Sequence, residues 1–262
     1  MDFNDKFKKA VRENFNRSTR DYLLLEEEYG FFDSLTTSLV SAIGFSDQAK
    51  ENITAILDVG CGTGSSTRRL KELFPRASVV GLDLSEKMVA VAEKNHPDLD
   101  FICGDGENID IYFPPNLFDL ILYPASLFLM PDQAKTLAAA EKLLKENGVV
   151  SASILLGLKD KTNREVKNLP AFRGILKNGN VEDAFEALFE RVESKAVSIE
   201  LDQPLLAAIY RIEALSAGAF QGKTQEERSR ELKHLLDEAS RDNLMLVQEW
   251  RFVLGHKRKA SD

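Results

Sequence analysis

Three glycines alternate at the end of a short apolar run, Asp58-Val59-Gly60-Cys61-Gly62-Thr63-Gly64, and this is the sharpest chemical signal in the chain. Glycine tolerates positive φ and lets a ligand approach the backbone with no Cβ in the way. A helix starting directly after such a turn offers its first N–H groups to an anionic group. Asp83 closes the next apolar run, nineteen residues beyond Gly64. A carboxylate at that edge can accept hydrogen bonds from a ribose diol. Glycine spacing separates the nucleoside ligands. A dinucleotide fingerprint starting at Gly60 needs glycine at position 65, and one starting at Gly62 needs glycine or alanine at 67. The chain has Ser65 and Thr67, so a nicotinamide oxidoreductase is the weaker reading.

Other reactive side chains are sparse. Cys61 and Cys103 form no metal-type or redox-type spacing, no metal set is expected, and Cys61 reads as a small residue suited to a tight loop. Of three histidines, His96 and His256 fall away from the glycine edge, and only His234, in a helical stretch, is a candidate to reach an acceptor.

The elements that position these residues alternate. Phe3, Phe7, Val11 and Phe15 recur at helical spacing and predict an opening helix with a buried aromatic stripe, and a second helix covers Tyr29 to Ile43, stopped by Gly44. Strands are predicted over Ile56 to Val59, Ser78 to Asp83, Asp100 to Cys103, Phe118 to Tyr123 and Val149 to Leu155. Helices lie between them: one runs through Leu73, one over Ser85 to Asn95 with Ser85 as N-cap, and one from Pro131 to Glu146. Such alternation implies a mostly parallel sheet with right-handed crossovers. After Gly157 it breaks, and helices are predicted over Glu182 to Glu193, Leu205 to Ala217 and Glu226 to Ala239. Val197, Ile199 and Leu201 suggest a short strand, and Met245 to Gly255 returns to strand character with no turn that can be placed. The resulting division is a helical lid (1–45), a ligand-binding core (46–157), a mainly helical elaboration (158–240) and C-terminal strands completing the sheet (241–262).

The chain has 262 residues, 44% hydrophobic, and 34 Lys and Arg against 42 Asp and Glu, for a net charge of −8. That length supports one elaborated α/β domain. The charge argues against a nucleic-acid partner held through its phosphates, and Lys257-Arg258-Lys259 reads as a solvated tail. With no apolar run of spanning or signal-peptide length and few cysteines, a cytoplasmic protein without a membrane partner is expected.

As a set, Asp58 to Gly64, Asp83, Gly104-Asp105-Gly106 and Phe118-Asp119 resemble the successive motifs of class I S-adenosylmethionine-dependent methyltransferases, over about Ala55 to Leu155. The chain looks most similar to their small-molecule branch, typified by quinone-biosynthesis and carrier-protein carboxylate enzymes, whose opening helices carry a segment like Phe15 to Tyr22. The resemblance implies a Rossmann-like, seven-stranded sheet with helices on both faces, S-adenosylmethionine as cofactor with S-adenosylhomocysteine as product, and a small-molecule methyl acceptor. It places backbone groups of Gly60, Cys61, Gly62 and the Gly64 turn at the methionine end of the cofactor, with Asp58 supporting its ammonium. Asp83 would take the ribose hydroxyls, Leu84 and Met88 the adenine faces, and Asp105 and Gly106 the adenine edge. Tyr22 would touch the cofactor from the lid, and Tyr123 would line the methyl-transfer end.

A sulfonium methyl is already an activated electrophile, so holding an acceptor in line is the main task, and the lack of an evident catalytic dyad is no objection. Acceptor choice should reside in the lid and the elaboration, where Phe172, Phe185, Phe189, Tyr210 and Phe220 make the segment aromatic. Tyr123-Pro124-Ala125-Ser126 differs from the motif of amino-methylating nucleic-acid enzymes. Protein-arginine methyltransferases carry a paired-glutamate loop that this chain lacks. Phe128 and Leu129 stand where many small-molecule relatives carry histidine. A module that binds the cofactor without catalysis is the remaining alternative.

Overall fold

The computed structural model describes residues 3–160, 181–219, 223–241 and 246–257. Phe172, Phe220 and the Arg258-Lys259 part of the tail lie outside them.

Helix α1 runs from Phe3 to Tyr29 and α2 from Phe31 to Ile43. Gly30 between them is left-handed, at φ 55°, and Gly44 closes α2 at φ 75°. Tyr29 therefore ends the first helix and does not open the second. Glu26 does the capping that Gly30 lacks a side chain for: its carboxylate accepts the N–H groups of Phe32 (2.8 Å) and Asp33 (3.2 Å). The predicted stripe is buried only in part, because Phe3 is 76% exposed, while Phe7, Val11 and Phe15 are half-buried.

A short α3 (Asp47–Glu51) leads into the alternating region: β1 (Ala55–Val59), α4 (Ser65–Leu73), β2 (Ser78–Asp83), α5 (Glu86–Asn95), β3 (Asp100–Cys103), β4 (Phe118–Tyr123), α6 (Gln133–Leu143) and β5 (Leu144–Asp160). Ser85 caps α5 by accepting the Met88 N–H. Asp132 caps α6, so that helix opens after Pro131, and it stops at Leu143, short of Glu146, because the chain is already pairing with β4 at Leu144.

Beyond β5 come α7 (Val181–Leu188), β6 (Arg191–Leu201), α8 (Gln203–Arg211), α9 (Glu213–Ala219), α10 (Gln225–Arg241) and β7 (Leu246–His256). Two helical expectations are corrected here. Arg191 to Glu193 belong to a strand, and the stretch from Leu205 to Ala217 is two helices broken at Ile212. The apolar residues Val197, Ile199 and Leu201 are the end of an eleven-residue strand whose charged first half hid it. Charges along it suit an edge strand, where they discourage pairing with another chain. A strand thus sits inside the segment expected to be mainly helical.

The sheet order is β3-β2-β1-β4-β5-β7-β6, with only β7 antiparallel to its neighbours. Winding reverses between β1 and β4, and in open α/β sheets the crevice beyond the strand ends at such a switch point is where ligands bind. Apolar side chains of the strands face alternately into two cores, one shared with α2, α4 and α8 and one with α6 and α7. No helix among the described residues is long and apolar enough to cross a membrane.

Candidate functional site

A cavity opens beyond the carboxyl ends of the parallel strands, with an empty volume near 1190 Å³ including its open mouth. From the β1–β3 side it is walled by Gly60, Gly62, Asp83, Leu84, Asp105 and Gly106, with Tyr22 entering from α1. These seven residues, dispersed in sequence, line one cavity.

The loop is shaped by close contacts. Gly60 (φ +81°) passes so near Ser126 that a Cβ would lie 2.4 Å from its Cβ, and a Cβ on Gly62 would lie 3.3 Å from the Tyr22 ring. Tyr22 in turn stacks on Phe32 with ring centroids 4.8 Å apart. Four N–H groups of the loop itself are used internally. Those of Gly60 and Cys61 go to the Leu82 carbonyl, that of Gly64 to the Cys61 carbonyl, and that of Gly62 to Asp83 Oδ2 at 2.9 Å.

Asp83 accepts from Ser85 N–H as well (2.8 Å). Burial raises its carboxyl pKa, against the lowering effect of these backbone N–H groups. Asp58 stands beneath the loop and is not part of the cavity wall. Its Oδ2 accepts from Ser66 (2.6 Å) and Thr67 (2.7 Å), stapling α4 to β1, while its buried Oδ1 has no hydrogen-bond partner in the protein. Burial pushes the Asp58 carboxyl up to about 6, opposed by the two hydroxyls and assisted by the Asp83 charge.

Asp105 has more partners than its motif suggests. It caps the short 3-10 helix Gly106–Ile111, accepts from Asn108 (2.7 Å), and receives Lys8 from α1 at 2.7 Å. Lys8 also pairs with the buried Glu107. Although burial opposes it, these bonds hold the Asp105 carboxyl below its ordinary range.

Besides Asp58, four expected residues do not reach the cavity. Cys61 and Met88 are buried behind its wall, and Gly64 is required by packing, since a Cβ there would meet the His96 ring at 2.8 Å. The fourth, Tyr123, is fully buried among the core residues on the other side of the sheet, its hydroxyl without a partner. The reason is the period-2 alternation of β4: Leu120 and Leu122 face the lid side, so Tyr123 faces away. The next three residues, Pro124, Ala125 and Ser126, line the cavity instead. None of the three histidines does so.

Toward β5 and β7 the wall becomes apolar, with Phe31, Phe128, Leu129, Leu155, Ile209 and Trp250. Set into it are Gln248 and Tyr210. Trp250 Nε1 donates to Gln248 Oε1 (3.1 Å), and the Tyr210 hydroxyl hydrogen-bonds the same amide. Burial pushes the Tyr210 phenol up to about 12, so it keeps its proton at neutral pH. Gln248 was missed in the sequence, yet the signal was there: Leu246, Gln248, Trp250 and Phe252 occupy one buried face of β7, and a glutamine among them is out of place unless it has work to do.

Residues 56–148 match a family model described as a methyltransferase domain. Over 106 residues the chain is 40% identical to a malonyl-[acyl-carrier protein] O-methyltransferase of Halalkalibacterium halodurans, covering 39% of each chain. Over 104 residues it is 36% identical to a trans-aconitate 2-methyltransferase of Escherichia coli, covering 40% of each. The matched region thus spans about two fifths of the length of these curated relatives. The fold is similar to that of the Haemonchus contortus phosphoethanolamine N-methyltransferase 2, solved with phosphomonomethylethanolamine and S-adenosylhomocysteine. The TM-score is 0.58 at 17% identity, over 95% of this chain and 60% of that one.

Proposed function

We propose that this chain, whose residues 56–148 form a methyltransferase domain, is a class I S-adenosylmethionine-dependent methyltransferase acting on a small-molecule acceptor. The observation that carries this reading is the convergence of Gly60, Gly62, Asp83, Leu84, Asp105 and Gly106 on one wall of a cavity that continues past them into an apolar chamber.

The residues fit the cofactor. Asp83 offers two carboxylate oxygens on the wall for ribose hydroxyls, Leu84 an apolar face for adenine, and Asp105 with Gly106 a polar edge. Tyr22 covers the loop. Asp58, with an unpartnered buried oxygen beneath that loop, supplies negative potential that favours the ammonium end. When bound, the cofactor supplies an electrophilic methyl on a sulfonium. The protein has to orient the acceptor and exclude water, which in well-aligned encounters contributes on the order of 7 kcal/mol or more. With no histidine in the wall, orientation carries the rate.

An open apolar chamber beyond the cofactor wall disfavours a binding module without catalysis, and Ser65 and Thr67 in place of the fingerprint's small residues disfavour a dinucleotide. The free thiols Cys61 and Cys103 are consistent with a reducing, cytoplasmic setting, and the net charge of −8 with a partner other than nucleic acid. Incubation with methyl-labelled S-adenosylmethionine and a metabolite extract tests the reading: label should pass to a low-mass product. Cofactor binding with no transfer to any such product would favour the binding module.

A further inference from the structure

The acceptor end of the cavity carries enough chemistry to specify a substrate class, granted the methyltransferase reading above. Strand order separates its two ends: β1 and β7 are three strand spacings apart across β4 and β5, about 14 Å. The charged wall residues, Asp83, Asp105 and Lys8, lie at the first end. Lys8 is the one cation among the described wall residues, and Asp105 and Glu107 already hold it. At the second end the polar groups are neutral: the Gln248 amide, the Tyr210 hydroxyl and the Trp250 indole N–H, linked to one another and each at most 4% exposed.

A carboxylate moved into such a chamber would lose its water and meet no cation among the described residues of its wall, and buried charge without a partner is strongly disfavoured. An ammonium would meet no acid among the described residues there. A neutral oxygen loses far less and finds matching groups. An amide carries two N–H groups and two lone pairs, and a phenol both donates and accepts, so the linked trio can serve a hydroxyl or a carbonyl. Buried polar groups of this kind also discriminate, because an apolar isostere leaves them unsatisfied.

We propose that the acceptor is an uncharged, largely apolar molecule whose hydrogen-bonding oxygen is held by Gln248 and Tyr210 beside Trp250, and that carboxylate acceptors are refused. This sets the chain apart from the two relatives above, whose names give malonyl-[acyl-carrier protein] and trans-aconitate as substrates.

Trp250 is the single tryptophan of the chain and reports on the chamber directly. Calorimetry with S-adenosylhomocysteine comes first, and absence of binding there would remove the methyltransferase reading itself. With that ligand saturating, 1-octanol and octanoate, which share a chain length and differ in charge, are titrated at pH 8 against Trp250 emission. Octanol should bind at least tenfold tighter. Simple hydrophobicity also favours the alcohol, so variants make the decision. Tyr210→Phe should weaken octanol at least threefold and leave octanoate unchanged, and Gln248→Lys, if it folds, should tighten octanoate tenfold or more. Octanoate binding as tightly as octanol to the unmodified protein, neither probe altering Trp250 emission, or Tyr210→Phe leaving octanol affinity unchanged would each overturn the proposal.

Discussion

Asp83 and Gln248 stand at opposite ends of one cavity, and the two ends are built by different means. Around Asp83 the backbone dictates residue type. Gly60 and Gly62 hold positive φ against Ser126 and Tyr22, and Asp83 takes N–H groups from the loop and from Ser85. Around Gln248 the backbone is ordinary strand and helix, and side-chain chemistry alone gives the wall its character. The cofactor end is rigid and constrained by geometry, whereas residues at the acceptor end can be exchanged without bending the chain. A fold so arranged can keep one cofactor while changing its acceptor.

The comparison breaks most visibly at Gly60. Gly60→Ala places a Cβ 2.4 Å from that of Ser126 at φ +81°. Left-handed strain and overpacking together should cost about 2 to 5 kcal/mol. A large fall in melting temperature with loss of S-adenosylhomocysteine binding is expected, and calorimetry reads both. A well-folded variant with intact binding would show that the loop is less constrained than its contacts imply.

A second break is by pH. The Asp58 carboxyl titrates at about 6 in the folded chain against an ordinary value of 3.8. Across that window the native state holds a proton that the unfolded chain does not. The ligand-free protein should therefore gain stability from this group as pH falls from about 6 to about 4, and lose it again on the way up. Protonation also removes the negative potential beneath the loop. Affinity for S-adenosylhomocysteine should drop by roughly tenfold between pH 7 and pH 5, and in Asp58→Asn the pH dependence should flatten.

The smallest effect is expected from Tyr123→Phe. Removing a buried hydroxyl that has no partner should leave cofactor affinity and methyl transfer unchanged and raise stability by up to about 1 kcal/mol. A loss of activity would restore Tyr123 to the transfer site and contradict its placement on the far side of β4.

These differences also explain what the sequence could reveal. Asp83, Asp105 and the glycines were legible because a turn of that shape admits few residue types, so composition betrays geometry. The Tyr123 misplacement came from reading strand position without strand face, although Leu120, Leu122 and the alternation were available. Lys8 was illegible: nothing on an amphipathic helix says which of its lysines will meet Asp105 and Glu107 across 97 and 99 positions of chain. Likewise the chamber depends on α8 and β7 converging on β5, a long-range event with no local signature, and only the buried glutamine of β7 hinted at it. Strand β6 was half hidden for a similar reason, since an edge strand with charges on its outer half loses the apolar alternation that marks a strand.

The central claim is that Asp83 holds the ribose of an S-adenosyl cofactor, and paired titrations test it most directly. The unmodified protein should bind S-adenosylhomocysteine more tightly than a nicotinamide dinucleotide. In Asp83→Ala, loss of charge-assisted hydrogen bonds worth roughly 1.5 to 3 kcal/mol should weaken S-adenosylhomocysteine by about tenfold to a hundredfold. Tighter binding of the dinucleotide, or unchanged affinity in a folded Asp83→Ala protein, would contradict the account.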